Sequence, residues 1–130
     1  MEELVEKARE ALRNAYAPYS KFRVGAAVLT RSGRIYTGVN VENASYGLTI
    51  CAERVAVFKA VSEGDKDIVA VAVVVDSDEP AAPCGACRQV IAEFNPDALV
   101  VMATADKRKV VTASLRDLFP SPFRGDRLKP

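Results

Sequence analysis

The run Ile68-Val69-Ala70-Val71-Ala72-Val73-Val74-Val75 constrains the fold more than any other stretch of this chain. It is apolar throughout, with no polar residue at alternate positions, so the strand it predicts must be covered on both faces. Such a strand lies inside a sheet that has helices packed on it. The segments that follow agree. Ser77 to Pro83 reads as a loop, Cys84 to Glu93 as a helix ended by Asn95-Pro96-Asp97, and Ala98 to Ala103 as a second buried strand. Strand, helix and strand in that order predict a right-handed parallel crossover.

Upstream, Leu4, Val5, Ala8, Leu12 and Ala15 recur at helical spacing, predicting an amphipathic helix over residues 2–16. Val24 to Thr30 and Ile35 to Val41 flank the turn Arg31-Ser32-Gly33-Arg34, predicting a hairpin. Asn40 to Gly47 is small and polar and reads as a loop at the end of its second strand. Cys51 to Val61 predicts a helix stopped by Glu63-Gly64-Asp65, with little polar face in its middle. It is either the central helix of one core or packs in part against another subunit. Lys107-Arg108-Lys109 reads as a solvated turn, and Ser114 to Phe119 as a short helix with Asp117 placed for a capping box. A chain of 130 residues suits one compact domain over 1–130, a mixed sheet between helices.

The net charge of +1 argues against a nucleic-acid backbone as partner, since such domains carry a strong basic excess. No apolar run approaches a membrane span, and Met1-Glu2-Glu3-Leu4 lacks the basic start and apolar block of a secretory signal, so the cytoplasm is the expected location. The three cysteines are expected to stay reduced there. The chain has no histidine, so a transition-metal site must be built from thiolates and carboxylates.

All three cysteines fall at predicted helix starts. Cys51 opens one helix, and Cys84 and Cys87, three apart and therefore on one side of a turn, open another. The positive end of a helix favours thiolates. If the two starts meet, three soft thiolates surround one cation, a donor set that suits Zn2+. Three protein ligands leave the fourth position to a water or hydroxide, as in catalytic rather than structural sites. Glu53 lies two residues from Cys51 and can reach that position without being a ligand. Taken singly, Cys84-Gly85-Ala86-Cys87 also suits a redox pair, Cys51 a buried apolar position and Glu53 a carboxylate that favours a helix dipole. Together, Cys51-Ala52-Glu53 and, about thirty residues on, Pro83-Cys84-x-x-Cys87 form the signature of zinc nucleobase deaminases.

Cys51-Ala52-Glu53-Arg54 and Pro83-Cys84-Gly85-Ala86-Cys87-Arg88-Gln89 resemble the cytidine deaminase family, in its small, three-cysteine, homotetrameric branch. Tyr16 to Ala27 and Asn40-Val41-Glu42-Asn43-Ala44 carry the resemblance further. It implies an α/β fold, a three-layer α/β/α sandwich with a mixed sheet of about five strands. It implies zinc on Cys51, Cys84 and Cys87, Glu53 as the catalytic proton shuttle, and a nucleoside substrate. Asn40 and Glu42 would bind the ribose, Phe22 and Ala52 would line the pocket, Phe123 would lie on the base bound in a neighbouring subunit, and Tyr46 would bind substrate at a subunit contact, in a homotetramer whose active sites neighbouring subunits complete. The implied reaction is hydrolysis of cytidine, and of deoxycytidine, to uridine or deoxyuridine and ammonia.

Three thiolates around Zn2+ leave one net negative charge, which opposes ionisation of the bound water. Arg54 and Arg88 each follow the motif by one residue, and either could hydrogen-bond a ligand sulfur and offset that charge. Two other functions compete. A deaminase of another aminopyrimidine nucleoside, of the blasticidin type, shares the zinc motif but departs at the ribose segment. A non-enzymatic zinc module would need a fourth ligand, for which Glu53 is the close candidate.

Overall fold

The structure, a computed structural model, describes residues 1–123. Its sheet has five strands: β1 (Val24–Thr30), β2 (Ile35–Val39), β3 (Ile68–Val75), β4 (Leu99–Thr104) and β5 (Val110–Ser114). Their order is β2-β1-β3-β4-β5. The continuous apolar run is thus the middle strand, flanked antiparallel by β1, with Ala27 opposite Ala72, and parallel by β4, with Val73 opposite Met102. A middle strand has no free edge, and here neither face is free either.

Side chains alternate across a sheet. Val71, Val73 and Val75 of β3 join Val28, Val100 and Met102 on one face, under helices α2 (Ala52–Ser62) and α3 (Gly85–Phe94). Ala70, Ala72 and Val74 join Ala27, Val101 and Ala103 on the other, under Leu4, Val5, Ala8 and Leu12 of α1 (Glu2–Ala11) and the turn that follows it. The result is the expected α/β/α sandwich with a mixed sheet. No helix of the described residues is long and apolar enough to cross a membrane.

Two glycines set how closely the helices approach. A Cβ on Gly25 would lie 2.1 Å from the Ala8 carbonyl oxygen of α1, and one on Gly38 would lie 2.5 Å from the Ala56 amide nitrogen of α2. Both obstacles are backbone, so neither can swing aside. The second contact matters more for the site, because it seats the first half of α2 on β2.

Several boundaries differ from the expected ones. The first helix stops at Ala11 and tightens into a 3-10 turn over Leu12–Asn14 instead of reaching residue 16. A competing pairing claims the chain there: Tyr16 donates to the Asn40 carbonyl and its own carbonyl accepts from Glu42. β2 ends at Val39, and Val41 instead exchanges two backbone hydrogen bonds with Ile50. Strand β5 is not among the strands that periodicity picks out. The last helix, α4 (Leu115–Leu118), is capped by the Ser114 hydroxyl, which accepts from the Arg116 amide, and Asp117 makes no capping bond among the described residues. The middle of α2 buries Ala52, Ala56, Val57 and Ala60 under the sheet but leaves Phe58 48% exposed.

Gly38→Ala is expected to destabilise the protein by about 1–3 kcal/mol, the usual cost of overpacking where neighbours cannot yield. Thermal denaturation measures it, and an unchanged midpoint would show that α2 does not rest on β2 as described.

Candidate functional site

The starts of α2 and α3 meet at one end of the sheet. Cys51 is the N-cap of α2 and Cys84 the N-cap of α3, and neither makes a side-chain capping bond. Serine, threonine, aspartate or asparagine at such positions would typically add about 1 kcal/mol each. Sulfur stands there at a cost to the helices. Cys87, in the first turn of α3, is buried. The three sulfurs lie within 4.8 Å of one another, with Cys51 and Cys84 separated by 3.7 Å and Cys84 and Cys87 by 3.5 Å. All three are free thiols.

These spacings fit a tetrahedral zinc site. With zinc–sulfur bonds of about 2.3 Å, the edge of the ligand tetrahedron is about 3.8 Å. The donors are soft and are the only group of its kind among the described residues. As bare thiols they cannot all ionise together. The Cys51 thiol is held down to about 5, first by the Cys87 thiol beside it and then by the Arg54 guanidinium, while Cys87 is pushed up by Cys51 and by burial. A divalent cation removes that conflict by favouring every thiolate at once.

The two arginines separate. Arg54 donates from Nη2 to the Cys51 sulfur at 3.5 Å, as one of the two was expected to do. Arg88 does not reach a sulfur. Its guanidinium donates to the carbonyls of Pro83 and Leu118, both at 2.6 Å. The reason is local: Leu118 ends α4, where carbonyls lack partners within their own helix, and a long planar donor can bridge it to the loop before α3.

Glu53 stands on the first turn of α2, only 5% exposed, and its carboxyl is pushed up to about 7, chiefly by burial and then by the negative charge at Cys51. It lies outside the three-sulfur group. A buried carboxyl poised near neutrality beside a cation site is suited to moving protons.

A cavity of about 250 Å³ opens beside these groups. It gathers Phe22, Asn40, Glu42, Ala52 and Glu53 with Cys51 and Cys84, over the apolar floor of Val73 and Val75. Asn40 is nearly buried. Its Oδ1 accepts from the Val24 amide at 3.0 Å and its Nδ2 donates to the Phe22 carbonyl at 2.7 Å, which leaves one amide proton unused. The Glu42 carboxylate accepts from the amides of Tyr19 and Ser20 and from the Ser20 hydroxyl, and these bonds hold its pKa low. Ser20, Thr49, Ile50, Ala81 and Ala82 also line the cavity and were not singled out in the sequence. Thr49 and Ile50 immediately precede Cys51 and share its approach to the cavity, a proximity the motif spacing could have suggested.

Tyr46 and Phe123 lie apart. Tyr46 is 75% exposed and lines a second, neighbouring hollow with Tyr19, Ser20, Glu42 and Thr49, edge-on to Tyr19 with ring centroids 6.1 Å apart. Phe123 is 59% exposed and does not line the cavity of its own chain. Its backbone is held by the Gln89 side chain, which accepts from its amide at 3.0 Å and donates to its carbonyl at 2.8 Å.

Residues 1–103 match the family described as the cytidine and deoxycytidylate deaminase zinc-binding region. The chain is 48% identical over 123 residues to a cytidine deaminase of Halalkalibacterium halodurans, covering 95% of this chain and 93% of that protein. The crystal structure of a cytidine deaminase from Burkholderia pseudomallei superposes with a TM-score of 0.88 at 47% identity, covering 94% of this chain and 98% of that one. A blasticidin-S deaminase of Bacillus cereus is 36% identical over 129 residues, covering 93% of this chain and 90% of that protein.

The purified protein is expected to carry about one zinc ion per chain, as a three-cysteine catalytic site would. Elemental analysis would find it, Cys87→Ser would lose it, and chelation would lower the thermal midpoint because the ion binds only the folded cluster. Full zinc content in Cys87→Ser would remove the cluster from consideration as the metal site.

Proposed function

The chain belongs to the zinc-binding cytidine and deoxycytidylate deaminase family and is a hydrolytic deaminase, and from that premise we propose how its residues divide the work on cytidine and deoxycytidine. The products are uridine or deoxyuridine and ammonia. One observation carries the proposal: two of three convergent thiols, Cys51 and Cys84, border one cavity together with a buried carboxyl that is not among them and two fixed polar side chains.

Cys51, Cys84 and Cys87 would hold the zinc, which would supply a water that ionises near neutral pH. The Glu53 carboxylate takes the first proton of the attacking water and delivers it to N3 of the pyrimidine. Addition at C4 gives a tetrahedral carbon that bears the new hydroxyl and the old amino group. Glu53 then carries the hydroxyl proton to the amine, which leaves as ammonia, and C4 becomes a carbonyl. Arg54, with its donor on the Cys51 sulfur, withdraws charge from the cluster and so favours ionisation of the water.

At the other end of the cavity, Asn40 and Glu42 bind the ribose hydroxyls. The spare amide proton of Asn40 donates, and the ionised Glu42 carboxylate accepts. Phe22 and Ala52 shape the slot for the flat base. The exposed rings of Tyr46, Phe58 and Phe123 suit contacts between subunits of a homotetramer, with Phe123 entering a neighbour's site. Three free thiols suit a reducing compartment, the cytoplasm. The likeness to a blasticidin-S deaminase keeps a second aminopyrimidine substrate in view, and the paired sugar-binding side chains favour a ribonucleoside over it.

Ultraviolet absorbance would follow cytidine loss by the zinc-replete protein, with blasticidin S as the competing substrate. Glu53→Gln is expected to lower kcat by about 10²–10⁴-fold or more, since the group serves several proton transfers, with zinc content unchanged. Full activity in that variant would remove Glu53 from the mechanism, and turnover of blasticidin S without cytidine would replace the substrate.

A further inference from the structure

We propose that Ser20 is a positioning residue that aims Glu42 at the sugar and, through the same hydroxyl, ties the sugar end of the cavity to the Phe22 wall. The inference rests on the reading of Glu42 as a ribose ligand.

The geometry is specific. Glu42 Oε1 accepts from the Tyr19 amide at 3.0 Å and from the Ser20 amide at 3.1 Å, which uses both of its lone pairs. Oε2 accepts from the Ser20 hydroxyl and keeps one lone pair free. That hydroxyl therefore decides where the last acceptor direction of the carboxylate points. The same Oγ accepts from the Phe22 amide at 3.0 Å. The Phe22 carbonyl is in turn held by Asn40 Nδ2 at 2.7 Å. Phe22 is thus gripped on both sides of its backbone, by the residue that holds Glu42 and by the other proposed sugar ligand.

The chain between them is shaped for this. Lys21 takes φ 63°, a left-handed conformation that residues other than glycine seldom adopt. It folds the backbone so that the Phe22 amide turns back onto the hydroxyl two residues earlier. A residue held in such a conformation points to surroundings that over-determine it. Ser20 itself is exposed, so its hydroxyl is not needed to fill a core. Its role lies in the direction of a charge and the seat of a ring.

The test compares Ser20→Ala, Ser20→Thr and Glu42→Gln on cytidine and on 2′,3′-dideoxycytidine, which offers no ring hydroxyls. Loss of one charge-assisted hydrogen bond at Ser20→Ala is expected to raise KM for cytidine about tenfold, with kcat held within about twofold. KM for the dideoxy analogue, which meets the Phe22 wall but not the Glu42 carboxylate, should rise much less, so discrimination between the two substrates should shrink. Ser20→Thr keeps the hydroxyl and should keep the discrimination. Zinc content and thermal midpoint should match the parent in all three. If Ser20→Ala retains full discrimination while Glu42→Gln loses it, the positioning role is wrong and the sugar reading stands. If Glu42→Gln also retains it, the sugar reading itself fails. A Ser20→Thr protein that behaves like Ser20→Ala overturns the hydroxyl as the cause.

Discussion

Everything at this site depends on two helix starts being pressed together closely enough to bring three sulfurs within 4.8 Å of one another. Like charges at that distance repel, so the arrangement is stable only with protons or a cation among them. Both N-caps forgo an oxygen cap to place a sulfur there. The rest of the fold supports that convergence. Gly38 lets α2 settle on β2, the parallel β3–α3–β4 unit brings α3 to the same end of the sheet, and Arg88 links the ligand loop to the end of α4.

The cavity has two ends with different chemistry. Beside the thiols, burial and the neighbouring Cys51 push the Glu53 carboxyl up to about 7. At the Asn40 end, the half-buried Glu42 carboxylate is surrounded by donors that hold its pKa low, so it remains an acceptor. Two glutamates eleven positions apart thus sit on opposite sides of their ordinary range, and environment alone separates them. Val73 and Val75 lie between as an apolar floor, contributed by the most buried strand of the sheet.

Much of this was legible in the sequence because it follows from short-range pattern. The apolar run gave away a strand covered on both faces, and cysteine spacing gave away the candidate metal cluster. What stayed hidden depends on pairing between distant segments. β5 is an edge strand whose first three residues are exposed, so it lacks a buried run. The first helix ends early because Tyr16 pairs with a loop on the far side of the β1–β2 hairpin, at Asn40 and Glu42. Arg54 and Arg88 are equivalent in motif position, yet only Arg54 turns toward a sulfur; the carbonyl that captures Arg88 belongs to Leu118 and is invisible to local reading. Ser20 was passed over for the same reason, since its partner lies across a hairpin.

The spacing of the three sulfurs has a further side. Cys84 and Cys87 form a C-x-x-C pair at a helix start, 3.5 Å apart, with the first of them exposed to solvent. Without a cation between them, the two sulfurs stand only about 1.5 Å beyond the roughly 2.05 Å of a disulfide bond. A metal on the thiolates would therefore double as a protecting group, keeping the pair closed to disulfide formation. Loss of the ion would then expose the site to oxidation without any loss of the fold.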